Sequence, residues 1–474
     1  MKDLSPSKIV SLIKKKEISI EEVLESFYQR IEDYNGALNA IVSLKDREQV
    51  LSEQDKVSKT HNNQENQILY GLPLAIKDLV DVSGLPTTYG IPRYKNNIPK
   101  KNSIMVERLI NSGAIIIGKT NTPELGLGSH TFNRVFGITG NAYDISKSAG
   151  GSSGGAASAV AGGLIPIADG SDMMGSCRNP AAFANIYGIR PSPGLIPQER
   201  SGIRNNLPIL STLGCLGRTP DDIALMLDVV SGKHPLDPFS VSPMASFRHH
   251  HLSNKEFSAT KIGWLSNFNG YYKVERGIID LCESSLRNLS LANIEVEEII
   301  PKNEPSKLWM SWKILRSKVL FDELSSWNLR EEDKVFQVKW ELERGIELGG
   351  IHIEKAMNER RKWEEEIGFL FNKFDFITLP SAQMFPFDKT INFPSEINGE
   401  HLDSYHKWME IVILPSLLGL PTVSVPVGFN KMGLPMGMQV IAKRGDDLKL
   451  IAFSKKYEEV FESSKTIPDL TKIH

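Results

Sequence analysis

Two serines sit among four glycines in Gly150-Gly151-Ser152-Ser153-Gly154-Gly155, and another follows in Gly175-Ser176-Cys177-Arg178-Asn179-Pro180. Glycine has no Cβ, so a loop of this composition can turn sharply and approach a neighbour closely, presenting hydroxyl and N–H groups outward. The small-residue run Ala156-Ala157-Ser158-Ala159-Val160-Ala161 that follows reads as a tightly packed helix. The serines are therefore expected at or before a helix N-terminus, where unpaired N–H groups favour negative charge. Upstream, Leu72-Pro73-Leu74-Ala75-Ile76 reads as a short buried strand that delivers Lys77 at its end. Most lysines are solvated, but one that terminates an apolar strand is drawn inward.

These three motifs together resemble the amidase signature family of Ser-Ser-Lys hydrolases. The resemblance runs from about Lys77 to Pro193, with weaker support at Thr422-Val423-Ser424-Val425-Pro426 and Gly433-Leu434-Pro435-Met436-Gly437. It implies an α/β fold, one large domain with a mixed central sheet covered by helices on both faces. It also implies that Ser176 is the nucleophile, that Ser152, after a cis peptide bond, is the bridging residue, and that Lys77 is the base. An ammonium ion cannot accept a proton, so Lys77 must be neutral, and burial lowers a lysine pKa in that direction. Attack on an amide would give a tetrahedral oxyanion met by the consecutive N–H groups of Met173, Met174, Gly175 and Ser176, then an acyl-enzyme that water hydrolyses. The family usually has Ile-Gly-Gly before the nucleophile; Met173-Met174-Gly175 replaces it here, which bears on pocket shape more than on backbone chemistry.

By the same resemblance, Gly126, Gly128 and Ser129 fall where family members line the acyl pocket, with Asn133, Phe136 and Gly137 bracing it. Asp172 and Arg178 are expected to hold the oxyanion loop from behind, with a plain surface ion pair as the alternative. His406 and Trp408 are read as helix residues in preference to pocket residues. The implied activity is hydrolysis of a carboxylic amide, with a small-molecule amide as partner and no cofactor or metal. Two alternatives are the glutaminase subunit of a tRNA-dependent amidotransferase and a catalytically silent binding protein on the same scaffold.

Composition agrees with that class. The net charge of −2, from 55 basic and 57 acidic residues among 474, gives no excess that would draw nucleic acid or an acidic membrane. Cys177, Cys215 and Cys282 are too few for a disulfide framework. The N-terminus has no apolar signal-type run and no segment reaches the ~18 apolar residues of a membrane span, so a cytoplasmic protein is expected. A homodimer is compatible with this reading.

Four stretches position the chemistry within one domain, 1–474: N-terminal helices (1–70), a signature core (71–230), a variable substrate-side helical region (235–372) and a C-terminal sheet and helix part (373–474). Ser5-Pro6 and Ser19-Ile20-Glu21-Glu22 open the first helices. The polar stretch from Ser52 to Asn66 is expected to loop outward. Strands are expected at Ala114–Ile117, Ile165–Ile167, Lys261–Leu265, Phe376–Leu379, Thr422–Val427 and Met436–Ile441. Helices are expected at Val106–Ile110, Asp221–Val230, Gly277–Leu289, Ile353–Phe371 and Asp447–Phe461.

Some pattern matches lack the context their chemistry needs. Gly113 to Thr120 fits the phosphate-loop spelling, but its centre is an apolar strand. Gly151-Ser152-Ser153-Gly154-Gly155 fits a nucleophile elbow centred on Ser153, but Asp144-Ile145-Ser146-Lys147 before it is no hydrophobic strand. His249-His250-His251 has no spaced ligand partner. Cys177 reads as a small packing residue beside the nucleophile.

Overall fold

Apolar runs of four to eight residues alternate with capped helices along the chain, and the architecture follows from that alternation. The computed structural model describes residues 1–60, 67–199, 207–327 and 329–472. Its strands are β1 (Ile41–Val42), β2 (Pro73–Lys77), β3 (Ile115–Thr120), β4 (Phe132–Asn133), β5 (Gly137–Ile138), β6 (Ile167–Asp172), β7 (Tyr187–Arg190) and β8 (Thr212–Gly217). They continue with β9 (Lys261–Trp264), β10 (Glu295–Glu298), β11 (Phe376–Pro380), β12 (Glu396–Ile397), β13 (Glu400–His401), β14 (Thr422–Phe429) and β15 (Pro435–Ile441). Eight of them form one sheet in the order β10-β9-β11-β15-β14-β7-β8-β6. β9 pairs parallel with both β10 and β11, and the remaining pairs are antiparallel, so the sheet is mixed, as expected.

The strand that carries Lys77 lies in a separate three-stranded sheet, β1-β3-β2. β2 and β3 run parallel with Lys77 opposite Thr120, and β2 lies against β6 at the edge of the large sheet. Every residue of β2 and β3 is buried, which is why both read as continuous apolar runs. The helix Ile20–Leu38 opens on a capping box in which Ser19 N–H donates to Glu22 at 2.7 Å and Glu22 N–H to Ser19 Oγ at 3.0 Å. The helix Pro220–Val230 opens the same way on Thr219.

Three expectations change. The strand placed at Ile165–Ile167 begins at Ile167 and runs to Asp172; its second half, Asp169-Gly170-Ser171-Asp172, resembles a loop because polar residues face a buried polar site. Ser52 to Thr60 belongs to the helix Arg47–Thr60, since no Gly or Pro stops it, while 61–66 lie outside the described residues. β7, β8 and β10 were not foreseen: β8 contains two glycines and β10 is mostly Glu, so neither shows the apolar pattern of a strand. The stretch 301–360 forms the helix Pro305–Ser325, the helix Phe336–Ile346 and the first half of the helix Gly350–Leu370. Among the described residues no helix is long and apolar enough to cross a membrane.

The helix Gly154–Ala161 begins against backbone. A Cβ on Gly155 would collide with the N and O atoms of Asn121 and stand 2.8 Å from the Ala40 carbonyl, whereas one on Gly36 would meet nothing within 4 Å. Gly155→Ala should therefore lower stability in urea denaturation by about 2 kcal/mol or more, because backbone cannot yield as a side chain can. Gly36→Ala, inside the helix Ile20–Leu38, should raise it by about 0.5–1 kcal/mol. Equal midpoints for the two variants would contradict this packing.

Candidate active site

β2 ends by pushing Lys77 into a buried polar pocket. The residue is completely buried. Its backbone N–H donates to Asp169 Oδ1 at 2.9 Å, which ties the small sheet to the edge of the large one. Its Nζ lies 2.7 Å from Ser152 Oγ, 2.8 Å from Ser153 Oγ and 2.9 Å from Ser171 Oγ. Burial lowers its pKa to about 8, against the opposing pull of Asp169 and Asp172. Asp169, also buried, is pushed up to about 6 by the same desolvation, and its Oδ2 has no partner among the described residues. The sequence reading missed Asp169 and Ser171. They alternate on β6 and so share a face; extending that strand to Asp172 would have put both beside Lys77.

The serine loop is clamped by residues from three other segments. Thr131 Oγ1 donates to the Gly150 carbonyl at 2.8 Å and accepts the Gly154 N–H at 3.1 Å. Asn179 Oδ1 accepts the Gly151 N–H at 3.0 Å. The His130 ring bonds Ser148 Oγ at 2.7 Å and the Lys389 carbonyl at 2.9 Å; burial pushes its pKa down to about 4, so it is neutral. The peptide bond Gly151–Ser152 is cis. Ser153 directly precedes the helix Gly154–Ala161, and no strand leads into it, so the elbow geometry is absent.

Ser176 is 7 % exposed and its carbonyl accepts the Ser153 N–H at 3.2 Å. The structure thus brings Ser176 beside the loop that holds Lys77 and Ser152. Among the described residues no hydrogen bond joins the Ser152 and Ser176 hydroxyls. The loop before Ser176 is organised by Asp172, which accepts from Gly175 N–H at 2.9 Å, Cys177 N–H at 3.1 Å, and Arg178 Nε and Nη2 at 3.0 and 2.9 Å. Arg190 reaches the same residue, with Nη1 3.7 Å from Asp172 Oδ1. All three side chains are fully buried, so the surface ion-pair alternative falls. Burial works against the Asp172 carboxylate, yet Arg178 and then Arg190 hold it well below the usual carboxylate range. One expectation needs correction: the Gly175 N–H is turned to Asp172 and does not face an open site, which leaves the N–H groups of Met173, Met174 and Ser176.

Gly126 lies over the serine loop, where a Cβ would stand 3.6 Å from Ser152 Oγ. Gly128 and Ser129 line a small cavity with Leu127, His130, Phe132, Gln337, Asn392, Phe393, Tyr405 and Trp408. Asn133 braces this segment, donating to Asn121 Oδ1 and the Thr122 carbonyl at 2.7 Å each and accepting the Val135 and Phe136 N–H groups. Met173 packs on a cluster of Leu127, Leu320, Leu324 and Val338, so the helices Pro305–Ser325 and Phe336–Ile346 wall this side. His406 and Trp408 do lie at a helical turn, Lys407–Val412, but Trp408 also faces the cavity. His406 is buried among Trp309, Trp340 and Tyr405, with ring centroids 4.7–5.1 Å away. Cys177 is free and buried, and burial pushes its thiol pKa up. Among the described residues no group of three His, Cys, Asp or Glu side chains could hold a metal ion.

The family described as Amidase matches residues 22–451. An acylamidase of Rhodococcus erythropolis is 32% identical over 464 residues, covering 96% of this chain and 95% of that protein. A glutamyl-tRNA(Gln) amidotransferase subunit of Natranaerobius thermophilus is 30% identical, covering 95% of this chain and 94% of that protein. The crystal structure of a bacterial aryl acylamidase of the amidase signature enzymes superposes with a TM-score of 0.88 at 28% identity, covering 98% of this chain and 97% of that one.

Asp172→Asn tests the loop anchor. Neutralising it leaves Arg178 and Arg190 buried without a counter-charge, a loss of about 3–5 kcal/mol. Urea denaturation should show that drop, and a midpoint equal to the parent's would mean the pair does not hold the loop.

Proposed function

The chain belongs to the amidase signature family and is an amide hydrolase, and on that premise we propose that it cleaves uncharged carboxylic amides through a Ser176 acyl-enzyme, with Ser152 as proton relay and Lys77 as base. The observation that carries this reading is the amine of Lys77, buried and 2.7 Å from Ser152 Oγ, with burial lowering its pKa to about 8. A fraction of such an amine is neutral near pH 7 and can take a proton. Ser176 Oγ gives its proton to Ser152 as Ser152 gives its own to Lys77, and the freed oxygen attacks the amide carbon. The bond between the Ser152 and Ser176 hydroxyls forms with substrate in place, since such contacts tighten only in the complex.

The oxyanion is met by backbone N–H groups of Met173, Met174 and Ser176, in a loop that Asp172 and Arg178 keep rigid. Collapse returns the proton through Ser152 to the leaving nitrogen and breaks the C–N bond. Water, activated by the same relay, then hydrolyses the ester. Gly126 leaves room for the scissile group above Ser152, and Gly128 and Ser129 line the small cavity next to it in the chain.

No lysine, arginine, aspartate or glutamate among the described residues lines that cavity, and the one titratable imidazole in it, His130, is neutral. The similarity to an acylamidase and to an aryl acylamidase makes neutral acyl amides and anilides the first reading. The relationship to tRNA-dependent amidotransferases keeps glutamine as the second reading, and the two part on one assay: amine released from a neutral anilide against ammonia released from glutamine, by this protein alone.

The base has a pH signature. log(kcat/KM) for a neutral amide should rise with pH to a plateau with a midpoint near 8, because activity appears as the proton leaves Lys77. Lys77→Ala should lower the plateau at least about a thousandfold. A limb that survives at full height in that variant would move the role to another group, such as Lys119, which burial also lowers to about 8.

A further inference from the structure

Lys77 touches three hydroxyls where a two-step relay uses one. Ser153 Oγ and Ser171 Oγ lie 2.8 and 2.9 Å from Nζ, close to the 2.7 Å of Ser152. A neutral amine has two N–H bonds and one lone pair, so in a pocket of three hydroxyls two must accept and one must donate. Which one donates decides whether Lys77 can act as base toward Ser152.

The surroundings favour one arrangement. Ser153 has another acceptor for its own hydrogen, the Ser171 carbonyl at 3.4 Å. Ser171 is partly exposed, so its hydrogen can be given to solvent. Ser152 Oγ is almost fully buried, and among the described residues Lys77 is its one hydrogen-bond partner. Its hydrogen therefore points at Nζ.

We propose that Ser153 and Ser171 are positioning residues for the base: they accept the two N–H bonds of neutral Lys77 and leave its lone pair to Ser152 alone. The inference rests on Lys77 being the base. When Ser176 attacks, its proton passes to Ser152 Oγ and the Ser152 proton to Nζ, while the new C–O bond forms and the carbonyl π pair moves to oxygen. Nζ then carries three N–H bonds, and the same three oxygens accept all of them. The tripod thus aims the lone pair before the transfer and takes the place of hydration around the ammonium after it.

Removing one acceptor should disfavour the ammonium more than the neutral amine. The other titratable groups facing Lys77, namely Asp169 and Asp172 of β6 and Cys177 after them, are untouched by the substitutions below. The readout is the pH dependence of the rate at which a fluorophosphonate labels Ser176, which needs no knowledge of the natural amide. In Ser171→Ala and Ser153→Ala the acidic limb should move about one pH unit lower and the plateau fall about tenfold. Ser171→Thr, which keeps a hydroxyl, should restore both. Because Ser171 is partly exposed, its alanine variant removes little packing. A plateau that falls with the limb at the parent's pH would show a structural role only and overturn the proposal, as would labelling unchanged in both alanine variants. Failure of the parent to label at any pH would sink the reading of Ser176 itself, and this inference with it.

Discussion

A fully buried amine is the constraint on which the rest of this structure depends. Lys77 is fully buried, and the groups that replace its hydration are three serine hydroxyls. Hydroxyls solvate an ammonium less well than water does, so the charged form is disfavoured and the neutral amine becomes accessible near physiological pH. Each large feature around it serves that burial. β2 and β3 are buried along their whole length, β6 closes the pocket from the edge of the large sheet, and the helix Gly154–Ala161 can begin against Asn121 because residue 155 has no side chain.

Desolvation has the opposite outcome one turn away. Asp172 is as deeply buried as Lys77, yet it stays ionised because Arg178 and Arg190 face it and the Gly175 and Cys177 N–H groups donate to it. A buried charge with full partners persists, whereas a buried ammonium whose direct partners are neutral hydroxyls gives up its proton more readily. The two sites divide the work of the loop between them. One keeps a fixed charge that holds backbone in place, and the other keeps a group whose proton can leave.

The wall around Gly128 and Ser129 is built from other parts of the chain. Met173 stands at the start of the loop before Ser176 and packs on Leu127 and on residues of two later helices, Leu320, Leu324 and Val338. Tyr405 and Trp408 complete the apolar wall. Nearby, Arg316 and Tyr405 converge on Glu341, with Tyr405 Oη 2.8 Å from Glu341 Oε1, so this wall has its own buried polar anchor.

Local patterns determined much of this protein. The apolar run ending at Lys77, the glycines around Ser152 and Ser153, the small-residue helix after them and the Ser19 capping box are statements about neighbours a few residues away, and periodicity and backbone sterics make those legible. Where the pattern depends on distant partners, it misled or fell silent. β6 reads as a loop because its polar residues are satisfied by β2 and the serine loop, far away in the chain. The same distance hid Asp169 and Ser171. Burial decides whether a lysine is a base or a surface charge and whether an ion pair anchors a loop or floats in solvent. Burial is a property of the packed sheets and helices, so the tertiary structure alone could decide it.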